Sequence, residues 1–116
     1  MAELEFLTIA QASTLIATRK LSPVELTETY LKRIEALDHL LDSFVTLTAD
    51  RARSEAKAAE AAIMAGGPVS RMHGIPYCLK DIYDTAGIRT TGMSKLLADN
   101  VPTRDSYCQE KLAAAS

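Results

Sequence analysis

His73-Gly74-Ile75-Pro76-Tyr77-Cys78-Leu79-Lys80-Asp81-Ile82-Tyr83-Asp84-Thr85-Ala86-Gly87, continuing through Ile88-Arg89-Thr90-Thr91-Gly92-Met93-Ser94-Lys95-Leu96-Leu97-Ala98-Asp99-Asn100, is the run that decides how this chain is read. Gly74 and Pro76 mark a turn, after which Tyr77-Cys78-Leu79 reads as a short strand. Side chains alternate along a strand, so Cys78 and Lys80 share one face and Tyr77 and Leu79 the other. The apolar run therefore ends in an ammonium where the strand leaves the core. Gly87 supplies a turn, and Thr90-Thr91-Gly92 reads as a second extended piece that ends in a loop.

Taken alone, Lys80 is an ordinary surface lysine, its stem along apolar surface and its head group in water. Its neighbours alter that. The order H-G-I-P, two more residues, L-K-D, then D-T-A-G-I, T-T and S-K-L-L closely resembles the amidase signature family. The resemblance runs from about Leu21 to the C-terminus and is strongest from His73 to Asp105. It implies an α/β fold, a mixed β-sheet covered by helices, of which residues 1–116 supply the N-terminal helices and first strands of a single domain. It also implies hydrolysis of a carboxamide C–N bond by a Ser–cis-Ser–Lys triad, with Lys80 as the base. The loop around Gly92 and Met93 would lie near the substrate, a small-molecule amide. No metal and no organic cofactor is implied, and self-association is left open.

A serine hydroxyl is a poor nucleophile until a base takes its proton. A lysine, ordinarily with a pKa of about 10.4, becomes such a base when burial strips its ammonium of hydration, and Lys80 is expected to act in that neutral, buried form. The family's two catalytic serines sit in a Gly- and Ser-rich segment beyond the lysine, and these 116 residues hold no such segment. The expectation is one third of a triad, inactive by itself. A second possibility within the family is the A subunit of a tRNA-dependent amidotransferase, which hydrolyses glutamine and passes on ammonia. A third, of another class, is a non-catalytic truncated remnant or interaction module.

A net charge of −2 leaves no clustered basic face of the kind that nucleic acid calls for, so direct nucleic-acid binding is not expected. The acidic start Met1-Ala2-Glu3-Leu4-Glu5 lacks the pattern of a secretory signal, and no apolar run has the length of a membrane span. Cys78 and Cys108 have neither metal-ligand spacing nor the density of a disulfide framework, which suits free thiols in a cytoplasmic setting.

Four helices are predicted. Thr8-Ile9-Ala10-Gln11 is a capping box that opens a helix to about Arg19, with Ile9, Ala12 and Ile16 on one face. Ser22-Pro23-Val24-Glu25 starts the next, with Leu26, Tyr30, Ile34 and Leu37 as its apolar stripe and Glu28–Lys32 as an outer ion pair. Phe44-Val45-Thr46-Leu47 reads as a strand, and Thr48 as the cap of a third helix. That helix turns Ala52, Ala56, Ala59 and Ile63 inward and stops at Gly66-Gly67-Pro68. After the break at Val101-Pro102, Asp105 would cap a last helix with Cys108, Leu112 and Ala115 on one face. No linker-like stretch or repeat marks an internal boundary.

Rival motifs fare poorly. Ser54-Glu55-Ala56-Lys57 has the S-x-x-K spacing, but S-D-N and K-T-G are absent and both residues fall on the polar helix face. The Gly87–Lys95 run fails as a phosphate loop, because Met93 and Ser94 separate Gly92 from Lys95. His39 and His73 are too isolated for a metal site, and His73 is expected to make a local hydrogen bond. Asp81 and Asp84 suit hydrogen bonding in turns and loops.

Overall fold

Thr8 opens α1 (Ile9–Ala17) by the reciprocal bonding that a capping box requires. Its hydroxyl accepts the Gln11 N–H at 3.2 Å, and Gln11 Oε1 accepts the Thr8 N–H at 2.8 Å. The computed structural model describes residues 3–116. α1 ends two residues before Arg19, which takes a left-handed φ of 59° and turns the chain so that Leu21 is buried.

Ser22 then caps α2 (Pro23–Leu41), accepting from the N–H groups of Val24 at 3.0 Å and Glu25 at 3.3 Å. Its own hydroxyl donates to the Glu60 carboxylate on α3 (Ala49–Gly66). A single cap thereby ties the start of one helix to the flank of the next.

α2 packs along α3. The inner face of α3 is as predicted, with Ala56 and Ile63 buried and Ala52 and Ala59 half-buried. On α2 the buried side is Pro23, Leu26, Thr27 and Leu31, so the apolar stripe is rotated and Leu37 lies outside it. Ala12, Ile16, Leu21, Leu26, Ile63 and Ile75 form the core, edged by Leu4, Leu7, Leu15, Tyr30 and Met72. Ile9, in the first turn of α1, stays exposed.

Glu28 pairs with Arg53 of α3 across the helix interface, at 2.6 Å and 3.3 Å, where an i,i+4 pair with Lys32 was expected. The planar guanidinium meets both carboxylate oxygens, which a lysine ammonium does not do. The Arg53 hydrogen bond holds the Glu28 carboxyl below its usual range. α3 runs on without a side-chain cap from Thr48 and stops at Gly67, whose φ of 82° suits glycine.

The expected strands do not form. Among the described residues the only β pairing is an isolated bridge between Thr85 and Ile88. Phe44–Leu47 is irregular and Tyr77–Leu79 is unladdered, so the sheet half of the α/β expectation is absent and the elements are helical. A β-former-rich segment becomes a strand only when it joins a ladder with a neighbour, and neither segment does so here. No helix among the described residues is long and apolar enough to cross a membrane.

The chain divides into two compact units, one built from the described residues up to Pro76 with Ala115 and Ser116, the other from Tyr77–Ala114. In the second, residues 84–90 run antiparallel to residues 100–106. The Ser106 N–H donates to Asp84 O at 2.8 Å, Gly87 N–H to Pro102 O at 2.9 Å and Thr90 N–H to Asn100 O at 2.9 Å. Asn100 Nδ2 also donates to Thr90 O at 2.9 Å.

Asp105 does not cap α4 (Tyr107–Ala115). Its carboxylate accepts the Ala86 N–H at 2.7 Å, and Ser106 takes the capping role by accepting the Gln109 N–H at 3.3 Å. The buried residue of α4 is Gln109, whose Oε1 accepts the Tyr77 hydroxyl at 3.1 Å, while Cys108 is exposed and Leu112 half-buried.

Candidate functional site

Residues 77–80 form neither helix nor ladder, and their burial alternates as the strand pattern required. Tyr77 and Leu79 are half-buried, whereas Cys78 and Lys80 are exposed on the other side. The face assignment holds even though no ladder forms. The chain turns after Lys80, whose carbonyl accepts the Tyr83 N–H at 3.1 Å.

The next residue closes a loop. The Asp81 carboxylate accepts the Thr91 N–H at 3.0 Å on one oxygen and the Thr91 hydroxyl on the other. The Asp81 backbone carbonyl accepts the Gly92 N–H at 2.7 Å. Thr91 Oγ1 in turn accepts the Met93 N–H at 3.0 Å. Asp81 thus has the hydrogen-bonding role in the loop that its sequence context pointed to. The Thr91 hydroxyl is the main influence holding the Asp81 carboxyl below the usual aspartate range, outweighing desolvation. The Thr91 and Met93 N–H groups and the charge of Arg89 act in the same direction.

Gly92 and Met93 both take a left-handed φ of 58°. For methionine that is an uncommon backbone state. Two hydrogen bonds hold it: Met93 N–H to Thr91 Oγ1, and Ser94 N–H to Thr91 O at 2.9 Å. The Met93 side chain is 78% exposed, at the tip of the loop. Thr90 and Thr91 are buried beneath it.

The structure therefore links the three residues singled out from the sequence through one intermediary. Lys80 precedes Asp81, Gly92 and Met93 follow Thr91, and Asp81 and Thr91 bond to each other. Thr91 is the residue that sequence reasoning missed, since a buried threonine before a glycine carries no periodic signal. His73 lies in the other unit, where it is buried and its Nδ1 accepts the Val69 N–H at 3.1 Å, the local bond expected of it. Ser54 and Lys57 are exposed on α3, and Cys78 and Cys108 are free and exposed.

A family model described as Amidase matches residues 25–116. The A subunit of glutamyl-tRNA(Gln) amidotransferase from Dehalococcoides mccartyi strain CBDB1 is 43% identical over 113 residues, 97% of this chain. The protein of the same name from Thioalkalivibrio sulfidiphilus is 45% identical over 107 residues, 92% of this chain. That of Acinetobacter baumannii is 42% identical over 115 residues, 99% of this chain. The chain spans 22–23% of the length of these curated relatives. Among solved structures, one described as a vestigial protein complex that reveals the evolutionary origins of an s-triazine catabolic enzyme matches with a TM-score of 0.88 at 28% identity. The match covers 94% of this chain and 24% of that one.

Proposed function

The chain belongs to the amidase family, and on that footing we propose that it carries the base-bearing segment of an enzyme that hydrolyses a carboxamide C–N bond through a Ser–cis-Ser–Lys triad. Lys80 is the base. The observation that carries this reading is the position of Lys80 inside the matched region, where the chain turns into a hydrogen-bonded loop. The two serines would come from outside these 116 residues.

Neutral Lys80 takes a proton relayed through the bridging serine, and the nucleophilic serine oxygen bonds to the amide carbon. The C–N bond breaks, the proton passes back to the leaving amine, and an acyl ester remains on serine. Water then cleaves that ester, with the same relay accepting its proton. Such a base works only when its ammonium form is disfavoured by burial or a neighbouring charge. Lys80 is exposed among the described residues, so the rest of the enzyme would supply that environment.

Glutamine is the amide that the relatives support, since they are amidotransferase A subunits at 42–45% identity. A net charge of −2 supports leaving any tRNA contact to other parts of the assembly. The test is ammonia release by the native full-length protein from glutamine, asparagine and small aliphatic or aromatic amides. Glutamine is expected to be the preferred substrate. Turnover of a small amide with glutamine untouched would move the assignment to a free-standing amidase, and no turnover of any amide would overturn it.

A further inference from the structure

Lys80 and Gly92 flank Asp81 and Thr91, which are ten positions apart in sequence yet bonded to each other, so one pair of side chains holds both ends together. From this geometry we infer that Asp81 and Thr91 are positioning residues, a clamp that fixes the substrate-side loop relative to the catalytic lysine. The inference rests on the reading of Lys80 as the base. Its content is separate, because it concerns two residues that neither bear the reaction nor contact it directly.

Four bonds converge on the clamp. The Asp81 carboxylate takes both the Thr91 N–H and the Thr91 hydroxyl, the Asp81 carbonyl takes the Gly92 N–H, and Thr91 Oγ1 takes the Met93 N–H. Thr91 Oγ1 therefore donates to the carboxylate and accepts from the loop at once, which uses both capacities of a hydroxyl. Bonds to a charged acceptor are roughly twice as strong as neutral ones. Thr91 is 3% exposed, so water is a poor substitute for the lost partner. The pair also holds Gly92 and Met93 in consecutive left-handed conformations, which would relax if the Met93 N–H lost its acceptor. A relaxed loop would present its tip to the substrate from the wrong place, while Lys80 kept its own position.

The signature is a split between KM and kcat. In the native full-length protein, Thr91→Val keeps the shape and removes the hydroxyl, and is expected to raise KM about 10- to 100-fold with kcat changed by less than about threefold. Thr91→Ser restores the hydroxyl and is expected to bring KM back to within about threefold of wild type. Asp81→Asn keeps one acceptor for the Thr91 N–H and loses the charge, so a smaller rise in KM is expected, and it serves should Thr91→Val fail to fold. Lys80→Ala is measured alongside. Wild-type KM in both Thr91→Val and Asp81→Asn, with Lys80→Ala inactive, would overturn the clamp and leave the base assignment standing. Thr91→Ser as impaired as Thr91→Val would also overturn it, because the methyl group and not the hydroxyl would then matter. Full turnover by Lys80→Ala would remove the base assignment and the clamp together.

Discussion

Lys80→Ala is expected to lower amide hydrolysis by the native full-length protein about 10²–10⁴-fold, and further where the lysine acts as a unit with the nucleophile. Lys80 is the basic side chain of residues 77–80, and it lies within the region that matches the amidase family. Lys80→Arg is the sharper variant. It preserves positive charge, but a guanidinium does not deprotonate near neutral pH, so it should fail almost as badly. Lys57→Ala and Lys95→Ala are the controls, both being exposed lysines outside residues 77–80. Turnover is compared at matched folding, checked by circular dichroism. Near-wild-type turnover in Lys80→Arg together with a dead Lys57→Ala would shift the base to the Ser54–Lys57 pair.

Gly74→Ala is expected to give the largest loss of stability. Gly74 has a φ of 82°, and a Cβ placed there would lie 2.7 Å from Pro23 Cγ, 3.2 Å from Pro23 Cβ and 3.3 Å from Ile63 Cδ1. Pro23 and Ile63 are both buried, and the proline ring is rigid, so neither can move aside freely. The backbone conformation alone costs a non-glycine residue about 1–3 kcal/mol. Overpacking against the two neighbours adds about 1–3 kcal/mol. Gly87→Ala is the comparison, since Gly87 also has a positive φ, 75°, with nothing within 4 Å of its Cβ position. Urea unfolding of the two variants should show Gly74→Ala the less stable. Equal losses would mean that the close approach of Gly74 to α2 and α3 is not a constraint.

The helices were legible because their ends are written in short-range chemistry. Thr8 and Gln11 are three residues apart and bond only if a helix starts between them, and Ser22-Pro23 and Gly66-Gly67-Pro68 act over equally short spans. Partnerships over longer spans were not legible. Glu28 has Lys32 one helical turn away and Arg53 25 residues away, and only the packing of α2 on α3 shows which one it meets. Asp105 and Ser106 are adjacent and either can cap a helix. The Ala86 N–H, nineteen residues back, claims Asp105 and leaves the cap to Ser106.

The same distinction runs through the candidate site. Alternation correctly separated Lys80 and Cys78 from Tyr77 and Leu79, because it depends only on backbone geometry, whereas the exposure of Lys80 was not legible from it. The strand itself failed, since β propensity describes a surface that pairs, and residues 77–79 join no ladder here. The clamp was half legible. An aspartate after a turn-forming lysine signals loop hydrogen bonding, but nothing in the order of residues selects Thr91, ten positions on, over Thr85 or Thr90.

Serine–lysine chemistry centred on Lys80 is tested most directly by covalent capture with a serine-directed fluorophosphonate. The native full-length protein should label stoichiometrically at one serine, Lys80→Ala should label far more slowly, and residues 1–116 alone should not label. Equal labelling rates in the wild type and Lys80→Ala, or stoichiometric labelling of a serine within residues 1–116, would contradict the assignment of Lys80 as the base that activates a serine outside this segment.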